Sequence, residues 1–104
     1  MNPDPALIEV ILPAPLLRLA GTGNPVSLEV RGAVTLRSVL GALEARLPPL
    51  LGTLRDRHSG QRRAYVRFYA CETDISDVSP DEPLPLDVIE GRAPLLVLGA
   101  LSGG

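Results

Sequence analysis

The first thirty residues carry a hydrophobic pattern that predicts two paired strands. Leu7 to Leu12 is rich in β-branched residues and is followed by two prolines, which is typical of a strand and its end. Val26, Leu28 and Val30 alternate with polar residues, the period-two pattern of a strand with one buried face. Residues 21–25 contain two glycines, an asparagine and a proline, so they favour a turn that joins the two strands as a hairpin.

The next pattern has helical spacing. From Leu36 to Leu47, apolar residues recur at offsets of three, four, seven and eleven, which places them on one face of an amphipathic helix. Thr35 is suited to cap the start of this helix, and Pro48-Pro49 ends it. The charged residues predicted on the opposite side of the helix are Arg37, Glu44 and Arg46.

The middle of the chain predicts a loop and a third strand. Residues 50–60 are predicted to form one short turn of helix followed by an exposed loop, because the second half of this stretch is polar. Residues 64–70 have strand character, with Val66 and Phe68 on one face.

The last third predicts a central strand. Residues 72–85 are acidic, contain prolines and form a long connection, and Leu86-Asp87-Val88 is predicted to be a short edge strand. After a turn at Glu90-Gly91, Leu95 to Leu98 is apolar on both faces, as expected for a strand covered on both sides at the centre of a sheet.

The order of these elements is β, β, α, β, short β, β. It is the order of the β-grasp, an α+β fold in which a mixed sheet of four to five strands packs on one main helix. A chain of 104 residues has the size of one domain. We therefore predict a β-grasp domain over residues 1–98 and a flexible C-terminal tail over residues 99–104.

Composition narrows the cellular setting. Cys71 is the only cysteine, so no disulfide can form within the chain, which favours a reducing, cytoplasmic location. No positively charged segment precedes an apolar stretch at the N-terminus, and no run of about 18 apolar residues occurs, so neither a signal peptide nor a membrane span is predicted.

Charge is unevenly distributed along the chain, although the net charge is only −2. Residues 51–70 carry five arginines and one aspartate, whereas residues 71–104 carry seven acidic residues and one arginine. This polarity suits a docking surface for a charged protein, or an ordinary solvated surface. Net acidity argues against a nucleic-acid partner. All ten basic residues are arginine, so no isopeptide chain can be built on a lysine of this protein.

Conventional catalytic motifs are missing from the sequence. His58 has no second histidine or cysteine at metal-ligand spacing, and Cys71 follows a strand without a recognisable activating group. No glycine-rich phosphate loop ending in Lys-Ser or Lys-Thr occurs. We therefore predict a protein that is not an enzyme and that binds neither a metal nor a cofactor.

The candidate functional segment is the terminal Leu101-Ser102-Gly103-Gly104. Glycines without side chains can pass extended through a channel too narrow for a β-carbon, so the Gly104 carboxylate could enter the active site of another protein. A carboxylate is a poor electrophile and needs activation, for example as an acyl-adenylate made from ATP. Terminal glycines alone often mean only a frayed end. A buried last strand leading into this segment makes the combination more specific.

With these features the chain resembles the ubiquitin-like sulfur-carrier family that includes the small subunit of molybdopterin synthase and the thiamine-pathway carrier (MoaD/ThiS). It looks most similar to the carrier of cysteine biosynthesis (CysO-like). The resemblance covers nearly the whole chain. The segments that carry it are Leu12-Pro13, the helix after Thr35, the Ser59-Gly60 loop, Arg63 through Asp74, and the terminal Gly103-Gly104.

The resemblance implies a role as a protein co-substrate. An E1-like adenylyltransferase would adenylate Gly104, using its own ATP, and a sulfur donor would convert it to a thiocarboxylate. A sulfur-accepting synthase of cysteine, molybdopterin or thiamine-type biosynthesis would receive the sulfur, and in the cysteine pathway a metalloprotease releases the product. Leu101, Ser102 and Gly103 would be the residues through which partners recognise the tail.

Three other functions remain open from the sequence. The same carboxylate could form amide bonds to lysines of target proteins, as in a ubiquitin-like modifier. The tail could insert into the large subunit of a molybdopterin synthase. The domain could also be a binding module whose tail is inert.

Overall fold

The computed structural model describes residues 4–99 of the chain, and the candidate tail segment Leu101–Gly104 lies outside the described residues. Within the described range there are five strands: β1 (Ala6–Ile11), β2 (Val26–Val30), β3 (Val66–Ala70), β4 (Thr73–Asp74) and β5 (Leu95–Gly99). The helices are α1 (Ala14–Ala20), α2 (Leu36–Arg46) and α3 (Leu86–Ile89), and a 3-10 turn follows α2 at Pro48–Leu50.

The strands form one mixed sheet in the order β2-β1-β5-β3-β4. β1 pairs antiparallel with β2 and parallel with β5, and β3 pairs antiparallel with both β5 and β4. The predicted hairpin, the mixed sheet and the central position of the last strand are therefore confirmed. β5 includes Gly99, one residue more than the predicted strand, and Gly99 pairs with Val66.

One face of the sheet packs on the helices to form the core. The strands contribute alternate residues, such as Ile8 and Val10 from β1 and Val66 and Phe68 from β3, all fully buried. Helix α2 crosses this face and buries Leu36, Val39, Leu40 and Leu43. The helical spacing seen in the sequence thus identifies the packed side of α2.

Helix α2 begins at a capping box, as Thr35 predicted. The Thr35 Oγ1 accepts a hydrogen bond of 3.1 Å from the Ser38 backbone N–H, and the Ser38 Oγ accepts one of 2.9 Å from the Thr35 N–H. These bonds satisfy donors that a helix start leaves unpaired. The 3-10 turn after the helix agrees with the predicted short turn, and Leu54 beyond it is fully buried.

Helix α1 was not predicted. Pro13 and Pro15 were interpreted as the end of the first strand, whereas Pro13 is the N-cap of α1 and Pro15 lies in its first turn. Proline lacks an N–H and has φ near −65°, and both properties are tolerated at a helix start. The helix buries Leu16 and ends at Gly21, which has a left-handed φ of 70°.

The prediction of an edge strand at Leu86-Asp87-Val88 is wrong. These residues form the single helical turn α3, whose N-cap is Pro85 and whose Val88 is fully buried. The second strand of this half is instead β4, which pairs with β3 through Tyr69–Asp74 and Ala70–Thr73. A run of three residues with two apolar members has no period long enough to separate a strand from one helical turn.

Two burial predictions also need correction. Glu44 was placed on the solvent side of α2, but its side chain is buried against Arg55. The last strand was expected to be covered on both faces, whereas Leu98 is 49% exposed. The sheet of the described residues carries helices on one face only, so the other face of β5 is open.

Candidate functional site

β5 fixes the point from which the predicted tail departs. Gly99 is the last described residue, and its cross-strand partner is Val66 at the start of β3. A β-carbon at Gly99 would lie 3.2 Å from the backbone oxygen of Tyr65, so the missing side chain allows this close approach. Gly104 follows five residues later in the sequence, which at about 3.5 Å per residue puts its carboxyl group within about 18 Å of Gly99.

An apolar surface lies beside this point on the open face of the sheet. It consists of Ile11, Tyr69, Leu96 and Leu98, and we call it the exit face. Leu96 lies between Ile11 of β1 and Tyr69 of β3 in the strand register. These positions alternate with buried residues along each strand, so all four side chains project from the same side of the sheet.

Acidic residues flank the exit face at the β1–β2 side. Glu9 and Glu29 belong to the same open face, because they alternate with the buried residues of their strands. The Ser27 hydroxyl donates to both carboxylate oxygens of Glu9 at 2.9 Å. A protein that covers this side of the sheet would therefore meet an apolar centre and a negative margin.

A network of charged side chains borders the other margin of the exit face. The Arg67 guanidinium donates to Asp74 at 2.8 and 3.0 Å, and its Nη2 lies 3.5 Å from Asp77. Asp77 also accepts a hydrogen bond of 3.1 Å from Arg62. Arg62 in turn donates to the backbone oxygen of Val66 at 2.8 Å, directly beside the partner of Gly99.

This network shifts the pKa values of its members. The pKa of Asp74 is held well below its usual range by hydrogen bonds from Ser76, whose backbone N–H lies 2.8 Å from Asp74 Oδ1, and by Arg67. The pKa of Arg67 is raised, chiefly by its hydrogen bond to Asp74. Both groups therefore stay charged throughout the neutral range.

A cleft of about 460 Å³ lies between α2 and the loops that precede β3 and follow β4. Leu36, Leu40 and Phe68 are among its apolar lining residues, and Arg37, Arg55 and Arg62 supply its positive groups. Each of these arginines already forms an ion pair, with Asp81, Glu44 and Asp77 respectively. The positive charge of the cleft is thus largely neutralised within the chain.

The structure does not place the other candidate residues together. His58 lies exposed in the loop before β3, where the Asp56 carboxylate accepts the backbone N–H groups of His58 and Ser59 at 2.9 and 2.7 Å. These bonds, that from Ser59 above all, lower the pKa of Asp56. Cys71 is exposed in the β3–β4 turn. Over residues 4–99 no group of three metal-ligating side chains is found.

The exit face was not identified in the sequence. The available signal was the apolar character of both faces of residues 95–98, which was interpreted as burial on both sides. A central strand of an antiparallel or mixed sheet can instead leave one apolar face uncovered.

None of the described helices is long and apolar enough to cross a membrane.

No protein-family model matches this chain, and no curated protein sequence matches it. Solved structures do match over almost the full length. SAMP1 from Haloferax volcanii has a TM-score of 0.71 at 21% identity, covering 94% of this chain and 99% of its own. The small archaeal modifier protein 1 (SAMP1) from Methanosarcina acetivorans has a TM-score of 0.70 at 20% identity, covering 98% of this chain and 100% of its own.

A chain of the Amycolatopsis orientalis BexX/CysO complex has a TM-score of 0.66 at 22% identity, covering 92% of this chain and 98% of that one. These likenesses show that the fold is the ubiquitin-like β-grasp, as the element order predicted. The structural neighbours, SAMP1 and CysO, agree with the resemblance noted from the sequence.

Proposed function

We propose that this protein is a ubiquitin-like sulfur carrier that acts through the carboxyl group of Gly104. The observation that carries the proposal is the position of β5: the central strand of a β-grasp sheet leads into Gly103-Gly104 five residues after its last member. The fold shared with SAMP1 and CysO supports it. In this role the protein is a co-substrate, and the catalysts are its partners.

The proposed chemistry has two steps. An oxygen of the Gly104 carboxylate attacks the α-phosphorus of ATP on an E1-like adenylyltransferase, and pyrophosphate leaves. A sulfur nucleophile then attacks the carbonyl carbon, a C–S bond forms, and AMP leaves with the electron pair of the broken C–O bond. If the nucleophile is hydrosulfide, this step leaves Gly104 as a thiocarboxylate. If it is a donor persulfide, a thiol then attacks the donor-side sulfur, which forms a disulfide with the donor and releases the thiocarboxylate. A sulfur-accepting synthase consumes this thiocarboxylate.

The exit face is the proposed docking surface for the activating enzyme. An enzyme that holds Gly104 has the end of β5, at the edge of this surface, within about 18 Å, because Gly104 is the fifth residue after Gly99. Burial of the exposed part of Leu98 and its neighbours would provide hydrophobic binding energy. The acidic margin at Glu9 and Glu29 complements a partner with basic residues around an apolar centre.

The test is charging of the purified protein. It is incubated with ATP, a sulfur donor and candidate E1-like adenylyltransferases, and its intact mass is measured. We expect an exchange of one oxygen for one sulfur, and a fragment spectrum that places the exchange at Gly104. No exchange with an enzyme that charges its own carrier under the same conditions, over a full set of such enzymes from the source organism, would overturn the proposal.

A matched control separates charging from folding. Deletion of Gly104 should abolish charging and leave the thermal midpoint unchanged, because the terminal residues of a domain contribute little to its stability. Leu7→Ala changes an exposed side chain at the end of β1 away from Gly99 and should preserve charging. Equal charging of the deletion variant would contradict the assignment of Gly104.

A second candidate function is protein modification, which the name of small archaeal modifier protein 1 favours. In that case the activated Gly104 carbonyl would acylate lysines of other proteins. Tryptic digests of cells that express the Ser102→Arg variant would then contain Gly-Gly remnants on lysines. Their absence in cells in which the protein carries a thiocarboxylate would favour the carrier. Co-purification of a large synthase subunit would indicate the third alternative, a molybdopterin synthase subunit.

A further inference from the structure

Two arginines lie beside the end of β5. Arg67 is the cross-strand partner of Leu98, and Arg62 donates a hydrogen bond of 2.8 Å to the backbone oxygen of Val66, the partner of Gly99. Directly paired residues in a sheet have their β-carbons about 5 Å apart. Both guanidinium groups therefore lie within the distance of about 18 Å that the five residues after Gly99 can span.

An activated C-terminus is an electrophile toward amines. A neutral lysine amine would attack the Gly104 carbonyl carbon, a C–N bond would form, AMP would leave with the electrons of the C–O bond, and the surplus proton would pass to water. A guanidinium cannot take this path near neutral pH. A guanidinium stays protonated far above neutral pH, so its nitrogens carry no free electron pair available for attack.

Arg62 and Arg67 form ion pairs within the fold, and these contacts require a positive charge. Arg67 bridges Asp74 and Asp77, and Arg62 binds Asp77 and three backbone oxygens. A lysine could supply the charge but would add a nucleophilic amine beside the tail. The sequence meets both requirements, since it contains ten arginines and no lysine.

We propose that Arg62 and Arg67 restrict acyl transfer from Gly104: they supply the charge contacts beside the end of β5 without offering a side-chain amine that the activated terminus could acylate. This inference rests on the proposed function. In both the carrier and the modifier role it directs the activated carbonyl to the partner protein. Lysine side chains of the chain itself are then excluded as acceptors, since it has none.

The experiment replaces enzymatic activation by chemistry. The full chain is prepared by intein cleavage with a small alkyl thioester at Gly104, so no activating enzyme is needed. The decisive variant is Arg67→Lys. Its matched controls are Arg67→Gln, which loses the same ion pairs without gaining an amine, and Arg31→Lys, which adds an amine elsewhere.

Arg31 is a suitable control because it lies at the opposite end of the sheet. It follows Val30, which pairs with Ala6 at the start of β1, whereas Gly99 lies beyond the end of β1. At about 3.3 Å per residue the two ends are separated by roughly 30 Å along the strands. The five residues after Gly99 cannot span that distance.

At pH 8.5 we expect the Arg67→Lys thioester to disappear at least about tenfold faster than the other forms, because the amine and the carbonyl belong to one molecule. The product should be an amide between residue 67 and Gly104, with a rate independent of protein concentration. The wild type, Arg67→Gln and Arg31→Lys should form no internal amide at position 67 or 31, and their thioesters should be lost at a common, slower rate.

Equal lifetimes of the Arg67→Lys and Arg67→Gln thioesters, with both variants folded, would overturn the inference. So would acylation of arginine in the wild type. If Arg67→Lys does not fold, Arg62→Lys with Arg62→Gln provides the second comparison. Failure of enzymatic charging, by contrast, would count against the proposed function and leave the reactivity measured here unchanged.

Discussion

The Arg55 guanidinium lies 2.7 Å from the Glu44 carboxylate and joins helix α2 to the loop that precedes β3. A second contact of 3.0 Å runs from Arg55 Nε to the other carboxylate oxygen, so the pair is bidentate. The side chains are only 18% and 10% exposed. This pair anchors a loop that is otherwise attached by few apolar residues, chiefly Leu50 and Leu54.

We therefore expect Glu44→Ala to destabilise the fold by about 3 kcal/mol, because it leaves the Arg55 charge largely buried without its partner. Urea unfolding followed by circular dichroism measures the change. The double variant Glu44→Met/Arg55→Met should be closer to the wild type, since it removes both charges together. A single variant as stable as the wild type would show that Arg55 finds another partner or reaches water.

Leu98 should be required for partner capture and not for folding. Its side chain is 49% exposed on the exit face, so Leu98→Asp should leave the thermal midpoint nearly unchanged and lower kcat/KM for charging by about tenfold or more. Leu7→Asp is the matched control. Leu7 is 60% exposed on the same face but at the opposite end of the sheet. Equal effects of the two substitutions would contradict docking at the exit face.

A single substitution in the β3–β4 turn should stabilise the fold. Cys71 and Glu72 have φ values of 51° and 66°, and they form the whole two-residue connection between paired Ala70 and Thr73. Two-residue hairpins with both φ values positive favour asparagine followed by glycine. Glu72→Gly should therefore raise the free energy of unfolding by about 1 kcal/mol, whereas Glu72→Ala should not. A lower urea midpoint for Glu72→Gly would contradict the turn geometry.

Stability should decline in mild acid. The folded-state pKa values of Asp74, Asp56 and Asp81 lie below those of the unfolded chain, owing to Ser76, to Ser59 and to Arg37 respectively. The resulting stabilisation is fully present above the unfolded value of about 3.9 and is lost as the pH falls through the folded values. Urea midpoints should therefore be similar at pH 7 and pH 5 and lower at pH 3.

Asp74→Asn is the informative variant for this pH dependence. It should be less stable than the wild type at pH 7 and show a smaller loss between pH 7 and pH 3, because one of the three linked groups is gone. The exposed Glu82→Gln serves as the control and should follow the wild-type profile. A wild-type midpoint that stays constant down to pH 3 would contradict the linkage.

The parts of the fold that were predicted correctly have long periodic patterns. In α2, leucine and valine recur at intervals of three and four residues, and this spacing identifies the buried face of the helix. In β2, the alternation at Val26, Leu28 and Val30 identifies the buried face of the strand. The helix α1 was missed because its prolines stand at positions where helices accept them, and α3 because one turn has no period. Long-range contacts such as Glu44–Arg55, eleven residues apart, leave no local signal.

The candidate site was predicted only in part for a similar reason. The sequence identifies Gly103-Gly104 and the strand that precedes it, but a run of four apolar residues does not tell which face is covered. Exposure of Leu98 depends on helices that all pack on the other side of the sheet. Arg62 and Arg67 are placed beside the end of β5 by the register of β3 with β5, which the sequence does not reveal.

The central position of β5 also determines how the domain responds to a pulling force at its C-terminus. A partner that draws Gly104 inward pulls β5 along its own axis. Because β5 pairs with β1 on one side and with β3 on the other, that pull shears two hydrogen-bond ladders at once and cannot open them one bond after another. A pulling force on the C-terminus is therefore resisted by the hydrogen bonds of two strand pairs at once, and the domain should withstand being pulled from that end.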